Sequence, residues 1–262
     1  MREPVVIGDC QLYLGDAALI VPQLPPATVD LLWTDPPYGH GNHDGDWNAR
    51  LNAHRGLQNA PIANDTPDTM RDVVDSVLRA SVAVLKPDCC CCCCCGGGGP
   101  RPTFAWLAER MDRDGLQFFH SVIWDKVNPG LGWRYRRRHE MVMIAHLEGG
   151  KLKWANDAQA VPNIFELMPP RERHHPNEKP LAMVEHFVRL HSLPNDMVLD
   201  PFMGSGTTGV ACVRLGRRFT GIEIDPAHFE TACKRIEAAT KEPRLPLPEP
   251  KPVQTSLLEG KP

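Results

Sequence analysis

The sequence has no excess of basic residues, and this sets a first limit on what the chain can bind. Its 29 lysine and arginine residues are outnumbered by 32 aspartate and glutamate residues, and the formal net charge is -3. A protein covered in positive charge, as many nucleic-acid-binding domains are, is therefore excluded. Any contact with a polyanion must come from a local basic patch.

Long hydrophobic runs are also missing. No apolar stretch approaches the roughly 20 residues that a transmembrane helix needs, and residues 1–4 do not open a signal peptide. A hydrophobic content of 42% and a charged content of 23% are ordinary for a globular protein. The 262 residues predict one large α/β domain or two small ones, in a cytoplasmic protein without a membrane partner.

Spaced cysteine ligands are missing as well. Of the ten cysteines, seven form the unbroken run Cys89–Cys95. Neighbouring cysteines cannot pair without strain, and no Cys-x-x-Cys or Cys/His zinc pattern stands elsewhere. The run lies between two predicted helices, Met70–Leu85 and Phe104–Met111. We interpret it as a central parallel strand buried on both faces, in a reducing compartment, and predict no metal site.

The most informative motif that is present follows a short apolar strand predicted at Val29–Trp33. Directly after it come Asp35-Pro36-Pro37-Tyr38. Two prolines remove two backbone donors and fix φ, so the segment forms a stiff loop at the end of a strand. Its carboxylate, carbonyls and aromatic ring suit a flat ring that carries an amine. An ordinary proline-rich turn is the alternative that the motif alone leaves open.

A second motif lies near the other end of the chain. A strand predicted at Met197–Leu199 runs into Asp200-Pro201-Phe202-Met203-Gly204-Ser205-Gly206-Thr207, and a helix then continues to Leu215 and ends at Gly216. The next strand, Phe219–Ile224, carries Glu223, which is placed to bind a ribose diol. The carboxylate before the glycines would repel phosphates and attract a cation. A ligand with a ribose, an adenine and a sulfonium, S-adenosylmethionine, therefore fits better than a dinucleotide.

Two basic clusters follow the middle strands, which are predicted at Gln117–Trp124 and Glu140–Leu147. Their arginines are Arg134, Arg136, Arg137 and Arg138 in the first cluster and Arg171 and Arg173 in the second. Arginines interleaved with aromatic residues suit phosphate contacts and base stacking, while solvated basic turns are the alternative. Residues 149–175 are irregular and polar, and residues 242–262 form a proline-rich tail that we expect to be disordered.

Taken together, the Asp35-Pro36-Pro37-Tyr38 and Asp200–Gly206 motifs resemble the paired signatures of amino-directed DNA methyltransferases. The catalytic motif comes first and the cofactor motif last, an order similar to the circularly permuted β group of that family. The resemblance implies a Rossmann-like methyltransferase fold over residues 1–241. Such a fold has a mostly parallel seven-stranded sheet with helices on both faces. Residues 149–175 would be a short target-recognition insert.

The resemblance also implies roles for particular residues. Asp35 and the Pro36 carbonyl would accept hydrogen bonds from the target amine, Pro37 would stiffen the loop, and Tyr38 would stack on the target ring. The implied cofactor-binding residues are Asp16, Lys179, Asp200, Phe202, Gly204, Ser205, Gly206, Thr207 and Glu223.

The function implied is site-specific transfer of a methyl group from S-adenosylmethionine to N6 of a flipped-out adenine in double-stranded DNA, in a bacterial or phage protein. Methylation of cytosine N4 stays open, although an aspartate at the first motif position favours adenine within the family. A non-catalytic relative that binds DNA or cofactor stays open too, as does RNA or a protein amide as the acceptor. A homodimer and a partner restriction endonuclease are further expectations that the sequence does not decide.

Overall fold

The computed structural model of the chain describes residues 3–38, 66–95, 103–129, 136, 138–155, 161–169 and 179–242. Within these residues the strands are β1 (Val5–Ile7), β2 (Cys10–Leu14), β3 (Val29–Thr34), β4 (Leu85–Cys95), β5 (Leu116–Asp125), β6 (His139–Leu147), β7 (Ile164–Glu166), β8 (Met197–Asp200) and β9 (Arg218–Glu223). The helices are α1 (Ala17–Ile20), α2 (Pro67–Val84), α3 (Thr103–Arg110), α4 (Leu181–His191), α5 (Thr207–Leu215) and α6 (Pro226–Lys241).

All of these strands belong to one sheet, in the order β1-β2-β9-β8-β3-β4-β6-β5-β7. The five strands β2, β9, β8, β3 and β4 are parallel to one another, and β6 runs antiparallel between β4 and β5. The predicted fold class is confirmed. The described sheet has nine strands rather than the predicted seven, because β1 and β7 each add a three-residue strand at one edge.

Helices cover both faces of this sheet. The α4, α5 and α6 helices pack on one face, where Phe187 of α4 lies with its ring 5.1 Å from that of Trp33. The α1, α2 and α3 helices pack on the other face. The cysteines of β4 alternate between these two layers, and the described ones from Cys89 to Cys94 are all at most 1% exposed. The prediction of a strand buried on both faces is confirmed.

Local sequence signals fix several helix ends. Asp16 is the N-cap of α1, where its side chain accepts a hydrogen bond from the Ala18 amide. Asp225 is the N-cap of α6 in the same way and accepts from the Ala227 amide. Gly216 ends α5 with a left-handed φ of +68°, as predicted. None of the described helices is long and apolar enough to cross a membrane.

The order in which strands are added to the sheet reverses between the parallel strands β3 and β8. From β3 the chain continues to β4 on one side, whereas from β8 it continues to β9 on the other side. In open α/β sheets such a point leaves a crevice at the carboxyl ends of the strands, and ligands bind there. The fold therefore places a binding site next to the residues that follow β3 and β8.

The expected insert and tail are only partly described. The insert at 149–175 includes β7, which pairs with β5 through Ile164 and Ile123, while residues 156–160 and 170–178 lie outside the described part of the chain. Residues 243–262 also lie outside it. The domain limits and the disorder of the tail stay predictions.

Candidate active site

Two loops that are distant in the sequence meet at the reversal point. Asp35 follows β3, and Asp200 is the last residue of β8. The two strands are adjacent and parallel, with Leu32 opposite Leu199, so both carboxylates emerge at the same edge of the sheet. The negative charge of Asp35 contributes to the raised pKa of Asp200. The structure thus brings together the two motifs that the sequence singled out.

The first loop is tied down by Lys179, which comes just before α4. Its Nζ donates a hydrogen bond of 2.8 Å to the Tyr38 hydroxyl and lies 3.0 Å from Oδ1 of Asp35. The Tyr38 hydroxyl in turn donates to Asp35 Oδ1. These contacts hold the carboxylate and the phenol in one orientation, with Lys179 only 7% exposed.

A second anion, Glu140 of β6, completes this network. Its Oε2 lies 3.1 Å from Lys179 Nζ, and its Oε1 accepts from Lys126. Burial would raise the pKa of Glu140, but the charges and hydrogen bonds of Lys179 and Lys126 outweigh it and lower the pKa to about 2. Two cations and two carboxylates, one of them Asp35, thus form a network without net charge.

Neither Glu140 nor Lys126 is among the site residues predicted from the sequence. Both reach the site because β5 and β6 pair antiparallel with Trp124 opposite Glu140. That register cannot be read from the local pattern of either strand. The sequence offered one signal, which is the acid at the start of an otherwise apolar strand.

The net shift of the Asp35 pKa is in the opposite direction. Burial raises the pKa of this carboxyl too, and here the Lys179 charge and the Tyr38 hydrogen bond offset only part of the increase. The Asp35 carboxylate is therefore a better proton acceptor than an exposed aspartate. Lys179 behaves conversely, since Asp35 and Glu140 overcome the effect of burial and raise its pKa.

The second loop is shaped by its glycines and by Glu223. Gly206 has a left-handed φ of +84°, and a Cβ there would lie 2.9 Å from the Cβ of Ala232 in α6. Glu223 accepts from the Gly204 amide at 2.9 Å and from the Asp225 amide at 2.8 Å. The loop is thus held between the end of β9 and the α6 helix.

Arg235 of α6 secures the same loop from the other side. Its Nη1 donates to the Ser205 carbonyl at 2.8 Å and to the Ser205 hydroxyl at 2.7 Å, and lies 3.4 Å from the Thr207 hydroxyl. Sequence reasoning missed this residue, because nothing distinguishes it from the other charged residues of an amphipathic helix.

The chemistry of Asp200 indicates the kind of ligand that fits this loop. Its oxygens accept from the Thr208 hydroxyl at 2.5 Å and from the Phe202 amide at 3.1 Å. Burial still raises the pKa of Asp200 to about 7. A cationic ligand would favour the charged form, whereas a pyrophosphate would oppose it. Among the described residues, a Cβ added at Gly204 would meet no atom within 4 Å, so this part of the chain leaves space beside the loop.

Two other predicted cofactor-binding residues, Asp16 and Lys179, lie in different parts of the site. Asp16 caps α1, and the preceding Gly15 amide donates to the Glu223 carbonyl at 2.8 Å, so Asp16 lies at the same edge of the sheet. Lys179 lies in the Asp35 network instead. The cofactor roles of these residues stay predictions.

Only two of the six predicted DNA-binding arginines are described. Arg138 forms an ion pair with Asp125 through a 2.6 Å hydrogen bond from Nε, and Arg136 donates to the Pro129 carbonyl at 3.2 Å. The remaining four, Arg134, Arg137, Arg171 and Arg173, lie outside the described residues. DNA contact by these arginines stays a prediction.

The sequence is similar to those of known DNA methyltransferases. The Type II methyltransferase M2.DpnII of Streptococcus pneumoniae is 32% identical over 145 residues, which are 49% of this chain and 54% of that protein. The chain thus spans about half the length of that relative. The Type II methyltransferase M2.LlaDCHI of Lactococcus lactis subsp. cremoris is 25% identical over 244 residues, 86% of this chain and 88% of that one.

A solved structure matches along most of its length. The crystal structure of M1.HpyAVI in complex with S-adenosylmethionine has a TM-score of 0.65 and 27% identity, and it covers 87% of this chain and 98% of that one. The sequence model of the DNA methylase family matches residues 29–234, which include both motifs. The chain therefore belongs to the N6/N4 DNA methylase family and is a DNA methyltransferase directed at an exocyclic amine.

Proposed function

We propose that this enzyme methylates N6 of adenine at a specific site in double-stranded DNA. The observation that carries the proposal is the Asp35 carboxylate, held by Tyr38 and Lys179 at the edge of the sheet beside the Asp200 loop. Such a carboxylate can accept a hydrogen bond from an exocyclic amine. S-adenosylmethionine is the methyl donor.

The target amine is buried in a stacked duplex, so the base must leave the helix before it can reach Asp35. In the proposed complex, the Asp35 carboxylate accepts a hydrogen bond from one N–H of the amine. The Pro36 carbonyl accepts a hydrogen bond from the other N–H. Both hydrogen bonds draw the nitrogen lone pair out of conjugation with the ring and towards the methyl donor. Lys179 and Tyr38 contribute by fixing the direction of the Asp35 carboxylate.

The second loop would hold the cofactor. We assign the cationic methionine portion to Asp200 and the Gly204–Gly206 backbone, the ribose hydroxyls to Glu223 and the adenine to the region of Asp16. When bound, S-adenosylmethionine supplies an electrophilic methyl group on its sulfonium. Phe202, Ser205 and Thr207 would shape the same loop.

The amine becomes acidic as it acquires the methyl group, and its proton must then leave. The raised pKa of Asp35 suits this carboxylate to accept that proton. Positioning and electrostatics would carry most of the rate, since a strong base is not required.

Tyr38 is assigned to stack on the flipped base. Its side chain is 8% exposed, so stacking requires the ring or the groups around it to move when DNA binds. The six arginines named above are assigned to the phosphates that flank the target, where guanidinium groups position a duplex without reading its sequence.

The identity of the methylated base tests the proposal. Unmethylated plasmid DNA is incubated with the full chain and S-adenosylmethionine, digested to nucleosides and analysed by mass spectrometry. We expect N6-methyladenine from the wild type and none from Asp35→Ala, and sequencing of the same DNA should place it in one short site. N4-methylcytosine in place of N6-methyladenine would contradict the proposal, as would methylation of RNA in preference to DNA.

A further inference from the structure

The central strand β4 places two of its cysteines next to a histidine at a point that the methyl-transfer machinery does not use. Cys90 and Cys92 lie on the same face of the strand, with their sulfur atoms 3.4 Å apart. A ring nitrogen of His191, the last residue of α4, lies within 4.8 Å of both sulfurs. All three side chains are buried, with 0%, 0% and 2% exposure.

The hydrogen bond of His191 favours a metal-binding tautomer. Its Nδ1 lies 2.9 Å from the Lys153 carbonyl oxygen, which can only accept, so Nδ1 of the neutral ring carries the proton. The lone pair is therefore on Nε2. Histidines that bind metals commonly donate their other ring N–H to a backbone carbonyl in this way, because the bond fixes both tautomer and orientation.

The spacing of the sulfurs also suits a thiophilic cation. Zinc binds thiolate at about 2.3 Å and imidazole at about 2.0 Å, so two thiolates on one tetrahedral zinc lie about 3.8 Å apart. The observed 3.4 Å is within a small side-chain rotation of that separation. Zinc with three protein ligands takes water as its fourth.

We propose that Cys90, Cys92 and His191 bind one Zn²⁺ ion, which joins the end of α4 to the central strand. Binding forms two Zn–S bonds and one Zn–N bond and breaks two S–H bonds, with the two protons released to solvent. The two thiolates cancel the charge of the ion, so the buried site becomes neutral. Without a cation both sulfurs keep their protons, because burial raises the pKa of each thiol.

This site differs from the predicted methyl-transfer site. Cys94, whose sulfur interacts electrostatically with Asp35 and Lys179, lies two residues beyond Cys92 on the same face of β4, about 7 Å away along the strand. The ion would therefore stabilise the packing of α4 on the sheet without touching either substrate. Ligand spacing along the sequence gives no sign of this site, because His191 is remote from the cysteines in the chain.

The matched control comes from the same strand. Cys89 and Cys91 are equally buried but face the opposite layer, with 0% exposure each. The full chain and the variants C90A/C92A and C89A/C91A are purified under a phosphine reductant and equilibrated with Zn²⁺ and a competing chelator. Zinc per chain is then measured by mass spectrometry after gel filtration, and Co²⁺ replaces zinc for absorption spectra.

We expect one zinc per chain in the wild type and in C89A/C91A, with thiolate-to-cobalt absorption in both, and no retained zinc in C90A/C92A. Circular dichroism checks that each variant folds. If C90A/C92A does not fold, His191→Leu supplies the test, because it leaves β4 intact and should also lose zinc. A wild type without zinc would overturn the proposal. Equal retention, or equal loss, in the two cysteine double variants would overturn it too.

Discussion

Lys179 Nζ lies 3.0 Å from Oδ1 of Asp35, although more than half of the chain separates the two residues. The same ammonium contacts Tyr38 and Glu140, so one cation connects the loop after β3 with strand β6. In the proposed mechanism, this contact gives Lys179 the task of holding the carboxylate that would receive the target amine.

Replacement of Lys179 by an uncharged residue should alter the pH dependence of methylation. Without Lys179 the Asp35 carboxyl loses an opposite charge, so its pKa, which burial already raises, should rise further. In the proposed mechanism methylation needs the ionised form of Asp35. As the pH is lowered, Lys179→Met should therefore lose activity at a higher pH than the wild type does. A kcat profile against pH measures this, and Lys179→Arg, which keeps the charge, is the control.

The affinity for S-adenosylmethionine separates this task from a direct cofactor contact. If Lys179 only positions Asp35, the Lys179→Met variant should bind the cofactor as tightly as the wild type. A large increase in its dissociation constant would show instead that Lys179 contacts the cofactor.

Cofactor binding should depend on pH through Asp200. The pKa of this carboxyl is about 7, raised by burial, so the group is largely protonated at pH 6 and largely ionised at pH 8. A cationic ligand favours the ionised form, so the affinity should increase roughly tenfold from pH 6 to pH 8 and level off above. Calorimetry with the wild type and Asp200→Asn measures it. An affinity that is constant over this range in the wild type would contradict the role of Asp200.

The clamp between Arg235 and Ser205 should support cofactor affinity. Loss of hydrogen bonds from a charged donor costs about 1.5–3 kcal/mol, so Arg235→Ala should weaken cofactor binding by about 10- to 100-fold. Lys234→Ala is the matched control, because that neighbouring lysine has a 73% exposed side chain and pairs across the helix surface with Glu230. Equal cofactor affinities of the two variants would show that the clamp does not shape the site.

Stability should depend on Asp30, the acid inside β3. Its side chain is 3% exposed and binds Lys86 and Lys153, each at 2.8 Å. Although burial opposes it, these hydrogen bonds lower the pKa of Asp30. The stabilisation that ionised Asp30 provides is therefore fully present above the ordinary pKa of an aspartate. It is lost as the pH falls through the lowered pKa of Asp30 in the folded protein.

Asp30→Asn should accordingly reduce the free energy of unfolding at pH 7 by about 2 kcal/mol without changing cofactor affinity. The difference from the wild type should shrink in acid. Urea unfolding at several pH values measures this, with the exposed Asp88 changed to Asn as control. A difference that persists unchanged at pH 2 would rule out the ionic explanation.

The elements that the sequence predicted well carry their signal locally. The strand predicted at Val29–Trp33 is an apolar run that forms the buried β3, and Gly216 ends a helix because its φ is left-handed. The edge strands Val5–Ile7 and Ile164–Glu166 were not predicted. Their residues are mostly exposed, and they form strands only because a neighbouring strand offers free backbone groups.

The same distinction applies to the active site. Asp35 and Asp200 were predicted because each stands next to prolines or glycines at the end of a strand. Glu140 and Arg235 were not, because their positions depend on the pairing of β5 with β6 and on the packing of α6 against the glycine loop. Such contacts arise only when distant parts of the chain fold together.

Transfer of a labelled methyl group from S-adenosylmethionine to DNA, compared between the wild type and Asp35→Ala, tests the central claim most directly. We predict that the wild type labels the DNA, and that the variant binds the cofactor with unchanged affinity but leaves the DNA unlabelled. Equal labelling by both proteins would contradict the assignment of Asp35 as the residue that receives the target amine.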